Sequence, residues 1–341
     1  MLSKHYRRGA RSRGVALNPF AYAKASSPSA ALTEFDGERG ARYIAGGTTI
    51  LDLMKIAVET PPMLIDVNAL PLRSIEVTGD AIRIGALARL SDVAQNEILR
   101  SRLPFVAIAL EQSASPQLRN MATIGGNLLQ RTRCPYFRDV ATPCNKRAPG
   151  AGCGALDGEN RREAVLGTSE HCIATHASDL AVTLAALDAT VHVTGLSGNR
   201  DVALYDFYRL PGDTPQVETS LEPGELIVAV SLPVLSYGAR STYVKVRDRA
   251  QYDFALASAA VALDLDASTI REARVALGGI ATIPWRSPQA EAVLRDAPAT
   301  RASFERAAEA ALAGARGRGG NDYKIPLAKR TLIRALEIAA A

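Results

Sequence analysis

The sequence has little of what the commonest catalytic machineries need. It holds four histidines and one tryptophan in 341 residues. His5, His171, His176 and His192 are scattered, so no Ser–His–Asp set is implied and surface or structural roles are expected. No P-loop pattern is present. No nicotinamide fingerprint is well placed either. "GAGCGA" at Gly150–Ala155 fits G-x-G-x-x-A in letters, yet it follows no strand and opens no clear helix. No apolar run reaches the roughly eighteen residues of a membrane span. No internal repeat is visible.

Excess charge is also missing from most of the chain. The net charge is +5, and Lys4, Arg7, Arg8, Arg11 and Arg13 supply all of it within the first 14 residues. The remaining 327 residues balance 35 basic against 35 acidic side chains. The charge therefore describes a basic flexible tail, expected over 1–17, and not a nucleic-acid face. No apolar h-region follows these arginines, so no cleavable export signal is expected.

What is present describes a globular protein of two or three domains, with 47% hydrophobic and 22% charged residues. "ARYIAGGTTILDLMKIAVETP" reads as strand, glycine turn and helix, with Ile44 and Ala45 closing the strand and Thr48 or Thr49 capping the helix. "MLIDVNAL" is a short strand, and "SIEVTGDAIRIGA" is a hairpin about Thr78-Gly79-Asp80. Residues 91–112 read as helix, and "ATIGGN" at Ala122–Asn127 as a second glycine turn. "SDLAVTLAALDATV" is a helix that runs into the strand "TVHVTG". Further strands fall in "GELIVAVSLP", "STYVKV" and "RVALGGI". The last sixty residues read as Ala- and Leu-rich helix around a Gly/Arg loop at 314–321. Seams fall near Asn18 and Leu235–Gly238. The fold class is α+β, with mixed sheets and helices.

Two glycine pairs, each after a strand-like run, suggest a cradle where backbone N–H groups approach an anion. One such turn is common; two raise the expectation that both face one extended ligand.

All four cysteines lie within one window of 39 residues, spaced C-x9-C-x8-C-x18-C from Cys134 through Cys144 and Cys153 to Cys172. Structural zinc usually takes a C-x2-C knuckle, and none exists here. Two disulfides would allow three connectivities. An iron–sulfur cluster accepts widely spaced ligands from a wrapping loop. Pro135 and Pro143 stiffen such a loop. Arg131, Arg133, Arg138, Lys146 and Arg147 would offset an anionic cluster, against Asp139 alone. All three readings stay open on spacing.

Seven segments in order resemble one family: "IAGGTTILDLMK", "LIDVNAL", "QLRNMATIGGNLLQRTRCPYF", "PCNKRAPGAGCGAL", "IATHASDLAVTLAALDA", "YVKVRDRAQYDFALASAAVAL" and "VALGGIATIPWR". Together they are similar to the FAD-binding subunits of the molybdenum hydroxylases, the xanthine dehydrogenase and aldehyde oxidoreductase group. The similarity is greatest to the bacterial periplasmic aldehyde oxidoreductase branch, and it runs from about Asn18 to the C-terminus. It implies a two-subdomain FAD-binding fold of the vanillyl-alcohol-oxidase (PCMH) type at 18–235. A smaller α+β domain of the CO dehydrogenase flavoprotein type follows at 236–341.

The resemblance also implies that Ala45, Gly46, Gly47, Thr48, Thr49, Ile50, Leu51, Asp52 and Leu53, with Thr123, Ile124, Gly125, Gly126 and Asn127, hold the flavin's phosphates and ribityl chain. Asp179 matches an acidic FAD contact, Lys245 a lysine near the flavin, and Leu226 and Ile227 pack nearby. Relatives of the xanthine dehydrogenase branch pass from "IGGN" to "SDL" over about ten residues. Here fifty residues intervene, so 128–177 reads as an insertion. In the aldehyde oxidoreductase branch the matching insertion binds a 4Fe–4S cluster, which implies Cys134, Cys144, Cys153 and Cys172 as its ligands. His171, beside Cys172, is a candidate for tuning it. The implied function is electron transfer: a partner's molybdenum centre oxidises an aldehyde to a carboxylic acid, and electrons leave through FAD to an external acceptor, with the FAD subunit of a xanthine dehydrogenase-like or other molybdenum hydroxylase acting on a different substrate as the alternative. The implied partners are a molybdopterin-binding large subunit and a 2Fe–2S small subunit. The implied compartment is the periplasm, by co-export with a partner that carries the signal, with the cytoplasm as the alternative.

Overall fold

The computed structural model describes residues 17–38 and 40–341, so the basic segment at 1–14 lies outside the described residues. Three sheets organise the chain. In the first, β1 (Ala21–Lys24) and β2 (Arg42–Ile44) flank β3 (Met63–Asp66), all parallel. Parallel pairing needs a crossover. The helix Pro28–Gly37 supplies one, with Pro28 at its first position and Ser27 Oγ accepting from the Ala30 N–H at 3.1 Å.

The second sheet is antiparallel. The hairpin of β4 (Ile75–Thr78) and β5 (Ala81–Gly85) turns at Gly79, whose φ of +63° favours glycine. Then β6 (Thr190–Gly195) and β7 (Gly198–Ala203) form a second hairpin. Between the hairpins lies β8 (Leu226–Pro233), which pairs with β5 and β6. The helices Pro104–Gln112 and Asp179–Ala186 contribute Phe105, Leu110, Leu180 and Leu184 to its core.

The third sheet holds β9 (Ser241–Val246), β10 (Ala257–Asp266), β11 (Thr269–Gly278) and β12 (Trp285–Arg286). It is buried on both faces. Ala260 and Ala276 pack into the core of the second sheet. Ala259, Val261 and Val275 face the helices Arg301–Ala311 and Lys324–Ala340, where Phe304, Leu332 and Leu336 close a separate core. Alanines along β10 let the two cores share one thin layer.

The single helix expected over 91–112 is three: Leu90–Gln95, Glu97–Arg102 and Pro104–Gln112. Asn96 ends the first and caps the second, its Oδ1 accepting from the N–H groups of Ile98 and Leu99 at 3.1 Å each. Pro104, which has no N–H, opens the third. Periodicity joined what the cap and the proline divide. No helix among the described residues is long and apolar enough to cross a membrane.

The segment 128–177 is largely irregular, with one helical turn at Pro135–Arg138. The C-terminal region anchors its base. Asn321 Nδ2 donates to the carbonyl of Ala164 at 3.0 Å. Lys324 Nζ donates to the carbonyls of Arg162 at 2.7 Å and Glu163 at 3.0 Å. Lys324 is wholly buried, and burial lowers its pKa from 10.5 to about 7. Between these values the unfolded chain holds a proton that the folded chain has released. Unfolding free energy therefore rises with pH across this window through Lys324, and the group contributes no slope below about pH 7. The expected gain from pH 7 to 10 is on the order of 2–4 kcal/mol. Urea titrations check it, and Lys324→Met should remove that slope.

Candidate functional site

The two glycine segments meet. A Cβ on Gly46 would lie 1.9 Å from the carbonyl oxygen of Met121, so only glycine lets the first segment lie against the second. Gly47 follows at φ +73°, in the left-handed region. The chain then turns into the helix Ile50–Lys55, with the Leu51 N–H donating to the Gly47 carbonyl at 3.1 Å. The backbone N–H groups of residues 46 to 50 make no hydrogen bond within the protein among the described residues. Five consecutive free donors make a wall suited to an anionic diphosphate.

The second segment is not the turn expected from its sequence. Gly125 and Gly126 lie inside a short helix, Ile124–Leu128, and Thr123 Oγ1 accepts from the Gly126 N–H at 3.3 Å. Gly125 serves close packing: its N–H donates to the Ala86 carbonyl at 2.8 Å, and a Cβ would sit 3.1 Å from the Ala86 Cβ. A Thr-capped start rather than a left-handed bend explains the pair.

A cavity of about 810 Å³ opens on this wall. That is within the usual size of cofactor sites, about 300–1,000 Å³. Ala45, Gly46, Gly47, Thr48, Thr49, Ile50, Leu53, Thr123, Gly125, Gly126, Leu226 and Ile227 all line it. The opposite wall comes from the segment between Tyr208 and Glu225, where only Leu226 and Ile227, just beyond it, were expected. The available signal was the breaker-rich "LPGDTP" and "LEPGE", which mark a long irregular connection.

Leu51, Asp52, Ile124, Asn127, Asp179 and Lys245 do not line this cavity. Leu51 packs over Gly47, and Ile124 lies in the core of the second sheet. Asn127 Oδ1 accepts from the Ser178 hydroxyl at 2.6 Å. Asp52 turns outward to Arg133 at 3.0 Å and Arg138 at 2.9 Å, tying the helix after the glycines to the cysteine segment. Asp179 and Lys245 form a buried ion pair of 2.7 Å, and the Tyr243 hydroxyl donates to Asp179 at 2.6 Å. Burial pushes the Asp179 carboxyl above its usual range, against the pull of Lys245 and Tyr243. The pair fastens the helix Asp179–Ala186 to β9.

The cysteines gather in a small apolar cluster with Leu53, Phe137, Ala155, Ile173 and Ala174. All four are free thiols; Cys134, Cys144 and Cys172 are buried and Cys153 is partly so. Cys144 and Cys153 face each other in an isolated antiparallel bridge. Burial raises the thiol pKa of Cys134 and Cys153, and pushes that of Cys172 up to about 11, with Lys146 drawing it down. Backbone N–H groups reach the sulfurs: Ala174 donates to Cys172 Sγ at 3.4 Å, Tyr136 and Phe137 approach Cys134, and Ala155, Leu156 and Ile173 approach Cys153. No group of three or more His, Cys, Asp or Glu residues is arranged to hold a single metal ion among the described residues. A lone zinc site is therefore not supported. Cys172 and Ala174 also line the large cavity, so the thiol cluster and the glycine wall share a boundary.

His171 does not turn toward the sulfurs; its Nε2 lies 3.3 Å from exposed Asp213. His192 links Ser231 Oγ at 2.7 Å to Asp201 at 2.6 Å, a Ser–His–Asp connectivity that the sequence did not imply. It crosses the open face of the second sheet, does not line the cavity and ties three strands together. His176 is in the cavity wall, edge-on to Tyr208, and burial lowers its pKa to about 4.

Comparison with known proteins agrees with this architecture. The FAD binding domain in molybdopterin dehydrogenase matches residues 18–235, and the CO dehydrogenase flavoprotein C-terminal domain matches residues 242–339. The chain is 49% identical over 327 residues to the aldehyde oxidoreductase FAD-binding subunit PaoB of Escherichia coli K12, covering 95% of this chain and 99% of that one. It is 30% identical to the glyceraldehyde dehydrogenase medium chain of Sulfolobus acidocaldarius, covering 80% and 79%. The structure of carbon monoxide dehydrogenase from Hydrogenophaga pseudoflava superposes with a TM-score of 0.75 at 27% identity, covering 95% of this chain and 98% of that one.

Proposed function

This chain belongs to the FAD-binding subunits of the molybdenum hydroxylases, and we propose that it serves a heteromeric aldehyde oxidoreductase that converts aldehydes to carboxylic acids. The observation that carries the substrate class is the 49% identity to an aldehyde oxidoreductase subunit along nearly the whole of both chains. Matches at 28% identity to carbon monoxide dehydrogenase medium chains support a second reading, the same electron-transfer role with another substrate. Aldehyde-dependent reduction of an electron acceptor by the assembled complex distinguishes the two.

The proposed partners are a molybdopterin-binding large subunit and a 2Fe–2S small subunit, with an external acceptor receiving the electrons. The proposed compartment is the periplasm, reached with a signal-bearing partner; cell fractionation separates this from a cytoplasmic complex. The proposed division is an FAD-binding part at 18–235, interrupted by an Fe–S insertion at 128–177, and a C-terminal domain at 236–341.

The residues fit FAD. The free N–H groups of 46–50 would hold its diphosphate, with Thr123 and Gly126 closing the same wall. Leu53, Leu226 and Ile227 would exclude water from its apolar parts. FAD supplies a junction that takes electrons singly or in pairs. The acidic and basic side chains at Asp179 and Lys245 pair with each other and do not reach into the cavity.

A 4Fe–4S cluster is the proposed occupant of the cysteine segment. Four free thiols in one cluster, N–H groups aimed at sulfur, and nearby Lys146 and Arg147 all suit four thiolates around an anionic core. Cys134, Cys144, Cys153 and Cys172 are the proposed ligands. Absorption spectra with iron and sulfide assays on the purified chain test both cofactors. Cys144→Ser should remove most of the chain's iron; unchanged iron and an unchanged visible spectrum would defeat the ligand assignment.

A further inference from the structure

The wall formed by residues 209–225 has few hydrogen bonds to the sheets behind it. Its register is set at one end by Tyr208 and Thr219, where the Arg209 N–H donates to the Glu218 carbonyl at 3.0 Å. The far end is held by Arg200, which grips Glu225 with two bonds of 2.6 Å each, and by the Tyr43 hydroxyl, which donates to the Gly224 carbonyl at 2.7 Å. The middle of the segment is held from the cysteine insertion. Lys146 Nζ donates to the Pro215 carbonyl at 2.9 Å and pairs with Glu218 Oε1 at 2.9 Å. Arg131 pairs with the other oxygen of Glu218.

The Lys146 side chain is only 11% exposed, and Lys146, Arg131 and Glu218 all line the large cavity. A further pair, His171 with Asp213, joins exposed groups and contributes little. Lys146 also stands two residues from Cys144. Neighbouring Asn145 knits the insertion together, donating to the His171 carbonyl at 3.1 Å and accepting from the Gly152 N–H at 2.7 Å.

We propose that Lys146 is a positioning residue through which the cysteine insertion holds the 209–225 segment closed on the FAD cavity. The insertion thereby sets how tightly FAD is retained. This rests on the assignment of the cavity to FAD and does not depend on which metal, if any, the thiols bind. Lys146 is suited to the task because one ammonium satisfies both a backbone carbonyl and a carboxylate, so it fixes the segment's position as well as its charge. Without it, Glu218 keeps Arg131 alone and the Pro215 carbonyl loses its partner.

Lys146→Gln and Glu218→Gln, each made in the full chain, test this by the FAD dissociation constant from flavin fluorescence. Iron content and the thermal melt of the FAD-free chain are followed alongside. Each variant should weaken FAD binding about tenfold, the scale of one charge-assisted contact. The double variant should be weaker than either single one but by less than the sum of their losses, because the Lys146–Glu218 pair is lost in both. Lys146→Arg, which keeps the pairing with Glu218, should restore part of the affinity. Wild-type affinity in Lys146→Gln overturns the proposal, as do losses that simply add in the double variant. Loss of FAD that follows only from a lower melt of the FAD-free chain also overturns it. A wild-type chain that binds no FAD at all overturns the cavity assignment itself.

Discussion

Gly46→Ala is expected to leave a chain that is purified without FAD. The added methyl would occupy the place of the Met121 carbonyl oxygen, 1.9 Å from its Cβ, and neither strand-to-helix segment can yield without opening the wall. Overpacking of this kind costs about 1–3 kcal/mol in a rigid core. Here the relief of strain is to part the two glycine segments, so the cost falls on the cofactor. FAD affinity should fall at least about a hundredfold, a change of about 2.7 kcal/mol. The matched control is Gly37→Ala, where a Cβ meets nothing within 4 Å and FAD content should be unchanged. Equal flavin-to-protein ratios in the two variants would mean that the glycine junction is not the binding wall.

Asp179→Ala is expected to lower the stability of the whole chain rather than its affinity for FAD alone. The Lys245 side chain is 1% exposed and would keep only the Gln112 carbonyl, at 3.1 Å, as acceptor. Removing one partner from a buried ion pair costs about 3–5 kcal/mol, because the surviving charge is left without compensation. Asp179→Ala with Lys245→Met should recover much of that loss, since a buried pair replaced by apolar groups is often close to neutral. Denaturant titrations of the single and double variants check this. A single-variant loss below about 1 kcal/mol, the scale of an exposed pair, would show that water reaches Lys245.

The glycine site shows where sequence reading succeeds, whereas Asp179, expected to touch FAD, pairs with Lys245 outside the cavity. Glycine pairs after strand-like runs carry a backbone requirement that survives folding, and the structure brings them to one wall. The hairpin at Gly79 and the helix from Asp179 were legible for the same reason: a turn residue or cap sits where the periodicity changes. What was not legible depends on neighbours distant in sequence. Asp52 lies within the glycine segment, yet Arg133 and Arg138 draw it away from the cavity. The wall at 209–225 has no regular period, because it is held by single contacts from Arg200, Tyr43 and Lys146. The chain Ser231–His192–Asp201 depends on strand register, which one sequence does not disclose.

The position of β8 has a further consequence for how the chain is made. It sits at the centre of the second sheet, where Gly85 of β5 is the register partner of Ala229. Such a long closure is slow and entropically costly until its contacts form. A ribosome delivers the N-terminal end first, so all four cysteines emerge before the strand that completes the second sheet. During synthesis the cysteine segment is thus an open loop on an unfinished domain. The groups that anchor the base of the insertion, Asn321 and Lys324, emerge later still, so the order of the elements sets the order in which the insertion is fixed in place.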